Sequence, residues 1–331
     1  PPITAPKTPP AAVPVLAGLP TLSENIMCFN FYIAVLIFPQ VRRSDAPAKP
    51  MRRRRPRRRT GTLVLRGPMQ TKESERGVTT PLDATAAARF RQDGVVCLRA
   101  ALSPHSLKLA LEAYQWSLKH PGPGASELPA VGTGTFYQDL ANPAALSAYR
   151  PLLAQPEFGD IVAAIWGHGP VWFMYEQVFM KSGGTTRRTP WHQDTPYLPV
   201  RGDDLAVMWV SFDPVVAAHA LEFIEGSHRG PLYDGSSFDP EDDTAPLYGD
   251  GVLPRLPDIE ADRARWPIVS WATEPGDVLV FHPAILHGGA ATTPSITRRT
   301  LSLRFFGEDS LVARRPGCLL YTSPSPRDGT K

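Results

Sequence analysis

The sequence predicts a mainly β domain, a jelly roll, with α-helices placed before and beside it. Three observations carry that expectation. From Val171 onward the chain breaks into short β-rich runs punctuated by Gly, Pro and Asp. Helical stretches with start and stop signals precede those runs. The 331 residues are 42% apolar, enough for one substantial core.

Taken in order, residues 84–92 read as a helix stopped at Gly94, and 95–98, Val-Val-Cys-Leu, as a short strand. Ser103 is the N-cap residue of a helix running to Lys119, with Leu107, Leu111, Tyr114 and Leu118 on one face and Pro121-Gly122 as its stop. A third helix is expected over 144–166. Strands follow at 171–180, 206–212, 221–224, 278–282 and 300–306. Many short strands after a helical opening favour a sandwich or barrel, with the jelly roll leading.

The ends read differently from this body. Residues 1–68 join a Pro/Ala-rich stretch, an apolar run over 26–38 and an arginine tract over 52–59. The apolar run is interrupted by Asn30 and is shorter than the roughly 20 residues of a spanning helix, so no membrane segment is expected. The segment reads as a disordered or spurious leader, translated from upstream of a start at Met69. It holds twelve Lys/Arg and two acids, Glu24 and Asp45; setting these aside from totals of 35 and 32 leaves 23 basic against 30 acidic residues. An acidic body gives no electrostatic reason to bind nucleic acid. Residues 318–331 resemble a translated sequencing adapter, which confines the expected domain to 69–317. Cys28, Cys97 and Cys318 are too few and too scattered for a disulfide framework or a zinc site, which fits a reducing, cytoplasmic setting.

The chemistry concentrates in two segments. In Trp191-His192-Gln193-Asp194, one residue separates an imidazole from a carboxylate, so an extended strand would aim both from one face. A third ligand is expected from 93 residues further on, at His287, within a Gly-Asp turn, an apolar strand, the histidine and Gly288-Gly289. Two histidines and one carboxylate on one face of a metal leave positions open, which suits iron(II) binding a bidentate oxo acid and then O₂. Glycine behind a ligand permits close approach to the metal. Arg298, eleven positions after His287, offers a planar fork for the distal carboxylate of 2-oxoglutarate. Arg304 shares strand parity with Arg298 and could be that clamp instead. His282 is the competing third ligand, but on a strand it would point away from His287. Tyr197 could line the substrate pocket or simply pack, and Gln177 and Lys181 could touch substrate or stand on a solvated strand edge.

These segments resemble the phytanoyl-CoA dioxygenase family. The resemblance rests on Trp191-His192-Gln193-Asp194 with Tyr197, on Phe223-Ile224-Glu225-Gly226-Ser227-His228, on Gly276-Asp277 leading to Phe281-His282, and on the Arg-Arg-x-Leu-Ser-x-Arg run from Arg298 to Arg304. It extends more weakly back to about Leu82. It implies a double-stranded β-helix (cupin-like) fold, iron(II) at His192, Asp194 and His287, and 2-oxoglutarate and O₂ as cosubstrates. It also implies Arg298 as the clamp by family spacing, and Trp209 and Met174 beside 2-oxoglutarate. Asp194 implies hydroxylation, since related halogenases carry Gly or Ala there. The substrate class stays open among acyl-CoA, osmolytes and secondary metabolites, and so does the choice between monomer and homodimer. A non-catalytic cupin-like binding protein is the alternative. This chain departs from the family pattern at Gly289, where Ser is frequent, and at the turn Ala217-Ala218-His219-Ala220.

Overall fold

The computed structural model describes residues 84–315, apart from 129–133, 183, 185, 294–295 and 314. The arginine tract, the apolar run, the proposed start at Met69, Cys28, Cys318 and the 318–331 tail lie outside the described residues.

Helix α1, Ala84–Asp93, buries Ala87 and Phe90, three positions apart on one face. It ends at Gly94, whose φ of +81° suits glycine and whose N–H bonds back to the Phe90 carbonyl at 2.9 Å. Strand β1, Val95–Leu98, follows directly. Helix α2, Pro104–Lys119, starts as expected: the Ser103 hydroxyl accepts from the Ser106 N–H at 3.2 Å, and Pro104 needs no amide partner in the first turn. The single helix expected over 144–166 is instead two, α3 (Leu146–Leu153) and α4 (Pro156–Trp166). Gln155 is extended (φ −74°, ψ 127°) because the residue before a proline is driven from the α region.

The strands are β2 (Ser126–Leu128), β3 (Thr135–Leu140), β4 (Trp172–Ser182), β5 (Thr189–His192), β6 (Val200–Arg201), β7 (Leu205–Ser211) and β8 (Leu221–Ile224). Then come β9 (Ile268–Ser270), β10 (Val278–Phe281), β11 (His287–Gly289), β12 (Arg298–Phe306) and β13 (Leu311–Val312). Seven form one sheet in the order β1-β10-β7-β12-β4-β3-β2, four form a second in the order β5-β11-β8-β9, and β13 pairs with β6. Antiparallel pairing within both sheets makes the expected jelly roll, and no described helix is long and apolar enough to cross a membrane.

Period-2 alternation on the large sheet determines where polar groups end up. Its outer face presents Val178, Met208, Val210, Val280, Leu301 and Leu303 to the helices, where Tyr114, Tyr149, Phe158 and Ile165 close the core. Each such side chain contributes about 1.5–3 kcal/mol by burial. On the inner face Val207, Trp209, Leu279 and Phe281 meet Phe223 of the small sheet. Along β12 the inward positions are Arg298, Thr300, Ser302 and Arg304, all buried, and these polar groups line the space between the sheets.

Candidate metal centre

β5 and β11 pair with His192 directly opposite His287, the ring centroids 4.3 Å apart. Asp194 arrives by a different route from the one its spacing suggests. The strand ends at His192, and Asp194 has helical backbone angles (φ −75°, ψ −28°) at the head of a short turn. Its N–H and that of Thr195 both donate to the Pro283 carbonyl, at 2.7 and 3.0 Å, which folds the chain back towards β11. Gln193, between the ligands, bonds Pro231, Ala284 and the Tyr233 amide, so it fastens the turn to two loops.

The result is convergent. Asp194 Oδ1 lies 3.5 Å from His192 Nε2 and 3.7 Å from His287 Nε2. His192 Nδ1 donates to the Pro190 carbonyl at 2.8 Å and His287 Nδ1 to that of Ile285 at 3.0 Å, so both rings carry their proton on Nδ1 and present a lone pair at Nε2. Burial and neighbouring His192 push His287 down to about 4, leaving it neutral as a metal ligand must be. Burial would raise Asp194, but the neighbouring Arg304 guanidinium outweighs it and holds the carboxyl well below the usual range. Arg304 Nη2 occupies Asp194 Oδ2 at 2.9 Å, and Oδ1 faces the histidines. Two imidazoles of fixed tautomer and one braced carboxylate oxygen, all within 4.8 Å of one another, are a donor set that fits a divalent transition ion such as iron(II).

A cavity of about 160 Å³ opens beside the triad, and Trp209, Gln177, Tyr197 and Arg298 border it. Arg304 borders it too, but its charge is spent on Asp194. Arg298 is different: buried, it donates from Nη1 to the His219 carbonyl, and no carboxylate among the described residues pairs with it. Burial alone lowers it to about 10. The acceptor comes from the turn at 217–220, one of the two places where this chain departs from the family pattern. The other departure has a steric reason: a Cβ at Gly289 would sit 3.0 Å from Thr189 Oγ1 and 3.2 Å from Arg298 Nη2.

Met174 does not border the cavity. The β12–β4 register passes from Arg304↔Tyr175 to Phe305↔Phe173, which leaves Met174 as the unpaired residue of a bulge. It packs instead with Tyr175, Leu198, Val200 and Leu205, and the cavity wall on β4 is made by Tyr175, Gln177 and Phe179. His282 faces away from the triad: its Nε2 lies 3.1 Å from the Gly202 carbonyl, its Nδ1 accepts from the Ala284 amide, and burial lowers it to about 4. Tyr197 is doubly bonded to the Ser236 backbone, donating at 2.6 Å and accepting at 2.8 Å.

Phe238 is the wall residue with no signal in the sequence. It comes from the long loop before β9, holds a φ of +57° unusual for an aromatic residue, and sets its ring edge-on to His192 at 5.2 Å. Its amide is tied to Ser236 Oγ at 3.0 Å, and the loop is anchored by Arg187 on Asp243 and by Tyr248 on the Pro196 carbonyl at 2.6 Å.

Comparison with known proteins adds a family and a fold. Residues 90–300 match the model of the family described as phytanoyl-CoA dioxygenase. A probable phytanoyl-CoA dioxygenase of Caenorhabditis elegans is 27% identical over 182 residues, 53% of this chain and 55% of that protein. The peroxisomal phytanoyl-CoA dioxygenase of Homo sapiens is 32% identical over 133 residues, 39% of this chain and 36% of that one. The chain thus spans about half or less of the length of these relatives. Among solved structures, the α-ketoglutarate-dependent carbocyclase SnoK of nogalamycin biosynthesis superposes with a TM-score of 0.55 at 21% identity, over 73% of this chain and 90% of that one. EctD from S. alaskensis gives 0.51 at 21% identity, over 68% and 77%. At such identities the likeness is one of fold.

Proposed function

The chain belongs to the phytanoyl-CoA dioxygenase family, and from that premise we propose that it is an iron(II)- and 2-oxoglutarate-dependent oxygenase hydroxylating a small organic molecule, with succinate and CO₂ as coproducts. One observation carries the reading: a braced His192–Asp194–His287 triad shares a cavity with Arg298, a buried cation that has no acidic partner among the described residues.

In this reading His192 and His287 would hold the iron through Nε2 and Asp194 through Oδ1. Iron bound there would supply the binding and activation of O₂ and the oxidising chemistry. The protein supplies placement. Arg304 keeps Asp194 ionised and pins Oδ2 so that the carboxylate keeps one orientation. Arg298 takes the distal carboxylate of 2-oxoglutarate as a charge-assisted pair, with Trp209 beside it on the inner face. Met174 has no part in that pocket. Tyr197 and Phe238 cover the His192 side and keep bulk water from the reacting centre. Away from Arg298 the cavity wall is mostly apolar (Leu140, Ala141, Phe179), with Gln138 and Gln177 as its polar handles. The substrate is therefore an organic molecule presenting an uncharged, largely apolar part to the iron.

The test is anaerobic reconstitution of the full chain. One iron(II) should bind per chain, and 2-oxoglutarate should then develop the weak visible charge-transfer band of an iron(II) 2-oxo acid chelate. Retention of zinc with no band would support the rival reading, a cupin-like binding protein without turnover. Substrate-stimulated succinate release across acyl thioesters, osmolytes and secondary metabolites then identifies the substrate class.

A further inference from the structure

Lys181 stands on β4 directly opposite Arg298 on β12, with its side chain on the same inward face. It is among the most deeply buried side chains of the protein, 1% exposed. A lysine so placed is ordinarily paired with a carboxylate. Here Nζ donates to the Arg187 carbonyl at 2.9 Å and to Thr189 Oγ1 at 3.4 Å, and lies 4.1 Å above the Phe136 ring.

The charged groups facing it are all positive. Arg298 comes from β12 and Arg188 from the segment before β5, and both depress its ionisation; burial depresses it most, and together they bring it down to about 6. Arg187 turns its guanidinium outward to Asp243, and Arg188 is engaged by Glu222 at 2.8 Å and Glu260 at 3.3 Å. β3 offers only Phe136. Arg298 thus borders one corner of the cavity with buried Lys181 beside it on the next strand, and no acid among the described residues faces the pair. Thr189 links them: its Oγ1 accepts from Lys181, and both Oγ1 and Arg298 Nη2 lie within about 3 Å of one point beside Gly289, at 3.0 and 3.2 Å.

We propose that Lys181 is a proton-linked positioning residue: the distal carboxylate of a 2-oxo diacid, on binding Arg298 and the Thr189 hydroxyl, draws one proton onto Lys181, whose ammonium then polarises the Thr189 hydroxyl towards that same carboxylate. The inference rests on the oxygenase reading above and goes beyond it. Lys181 donates to Thr189, so the threonine hydroxyl hydrogen is free to point at the ligand. An anion beside Lys181 reverses the balance that held it uncharged. The proton comes from solvent, and no covalent bond changes.

The full chain, loaded anaerobically with iron(II), is titrated calorimetrically with 2-oxoglutarate in two buffers of different ionisation enthalpy. Near pH 8 about one proton should be taken up per ligand, and the dissociation constant should rise about tenfold per pH unit above neutrality. Uptake should fade below about pH 6, where Lys181 is already charged. Pyruvate, which has the chelating end but no distal carboxylate, should bind with no uptake. The near-isosteric Lys181→Met should bind 2-oxoglutarate with a flat pH profile and no uptake. No uptake in the native chain, equal uptake with pyruvate, or unchanged uptake in Lys181→Met each overturns the proposal. Failure of both oxo acids to bind in an iron-dependent way would instead remove the oxygenase reading, and this inference with it.

Discussion

Replacing Arg298 with methionine should move stability and cosubstrate affinity in opposite directions. The guanidinium is buried and its burial lowers it from 12.5 to about 10, which corresponds to roughly 3 kcal/mol against the charged form. At neutral pH it stays protonated in the folded and unfolded chain alike, so this cost does not vary with pH there. Methionine removes the buried charge and keeps most of the volume. It also removes the hydrogen bond to the His219 carbonyl, a loss of about 1.5–3 kcal/mol for a charged donor. The two nearly cancel, and the metal-free full chain should lose no stability and gain up to about 1–2 kcal/mol. That gain is a rise of a few degrees in Tm for a domain of this size. Affinity should fall steeply, because a forked charge-assisted pair with the distal carboxylate is worth roughly 2–4 kcal/mol, about 30- to 1,000-fold. Thermal unfolding and anaerobic titration of the charge-transfer band measure the two quantities on one sample, and pyruvate serves as the ligand Arg298 never touches. A variant that unfolds several degrees earlier, or that loses pyruvate and 2-oxoglutarate equally, refutes the idea that Arg298 is a cation held for the ligand.

Three further outcomes follow from the same side chains. Asp194→Ala removes a proposed metal ligand and also leaves Arg304 buried without its carboxylate. The chelator-treated chain should therefore lose about 3–5 kcal/mol in chemical denaturation, and Arg304→Met added to it should restore part of that loss. Glu176, buried beneath the 141–145 loop and accepting from the Asn142 amide at 2.9 Å, is raised by burial from 4.5 to about 7. A raised acid favours the folded state below its unfolded value and loses that advantage as pH climbs through 4.5 to 7. Glu176→Gln should accordingly equal the native chain near pH 4 and exceed it by roughly 2–3 kcal/mol near pH 8 in urea midpoints. Phe238→Gly removes the ring beside His192 and relaxes the positive φ. Succinate release without substrate should rise several-fold while the 2-oxoglutarate dissociation constant stays unchanged, and a proportional loss of 2-oxoglutarate binding would show that the loop only supports the scaffold.

Which of these parts could be read from the chain depends on how local their causes are. The proposed ligands His192, Asp194 and His287 stand in short motifs legible in the chain, but a turn held by Pro283 and not a strand pleat aims Asp194. Met174 was misplaced because counting along the sequence does not register the bulge opposite Arg304. Pro156 in the third helical stretch was a readable stop signal that apolar content obscured. The three-residue strand β11 and the two-residue β6 are too short to show any periodicity and exist only because partners lie beside them. Phe238 reaches the site across a long loop, and no spacing rule could place it there.

The two arginines of β12 show what strand order adds to a sequence pattern. Arg298, Thr300, Ser302 and Arg304 alternate with Arg299, Leu301, Leu303 and Phe305, a pattern that ordinarily means one solvated face and one buried face. β12 is a central strand, however, paired on one edge with β7 and on the other with β4. The helices cover the apolar side and the small sheet covers the polar one, so the polar row must border an interior cavity. Buried polar groups need partners, and each member of the row can be asked what its partner is. Arg304 answers with Asp194, and its role is internal to the candidate metal site. Arg298 answers with a single carbonyl, and the amine opposite it answers with a carbonyl and a hydroxyl. The shortfall of negative charge at that end is therefore a property of the fold itself, and it specifies an anion as the cavity's ligand independently of any motif that led to the site.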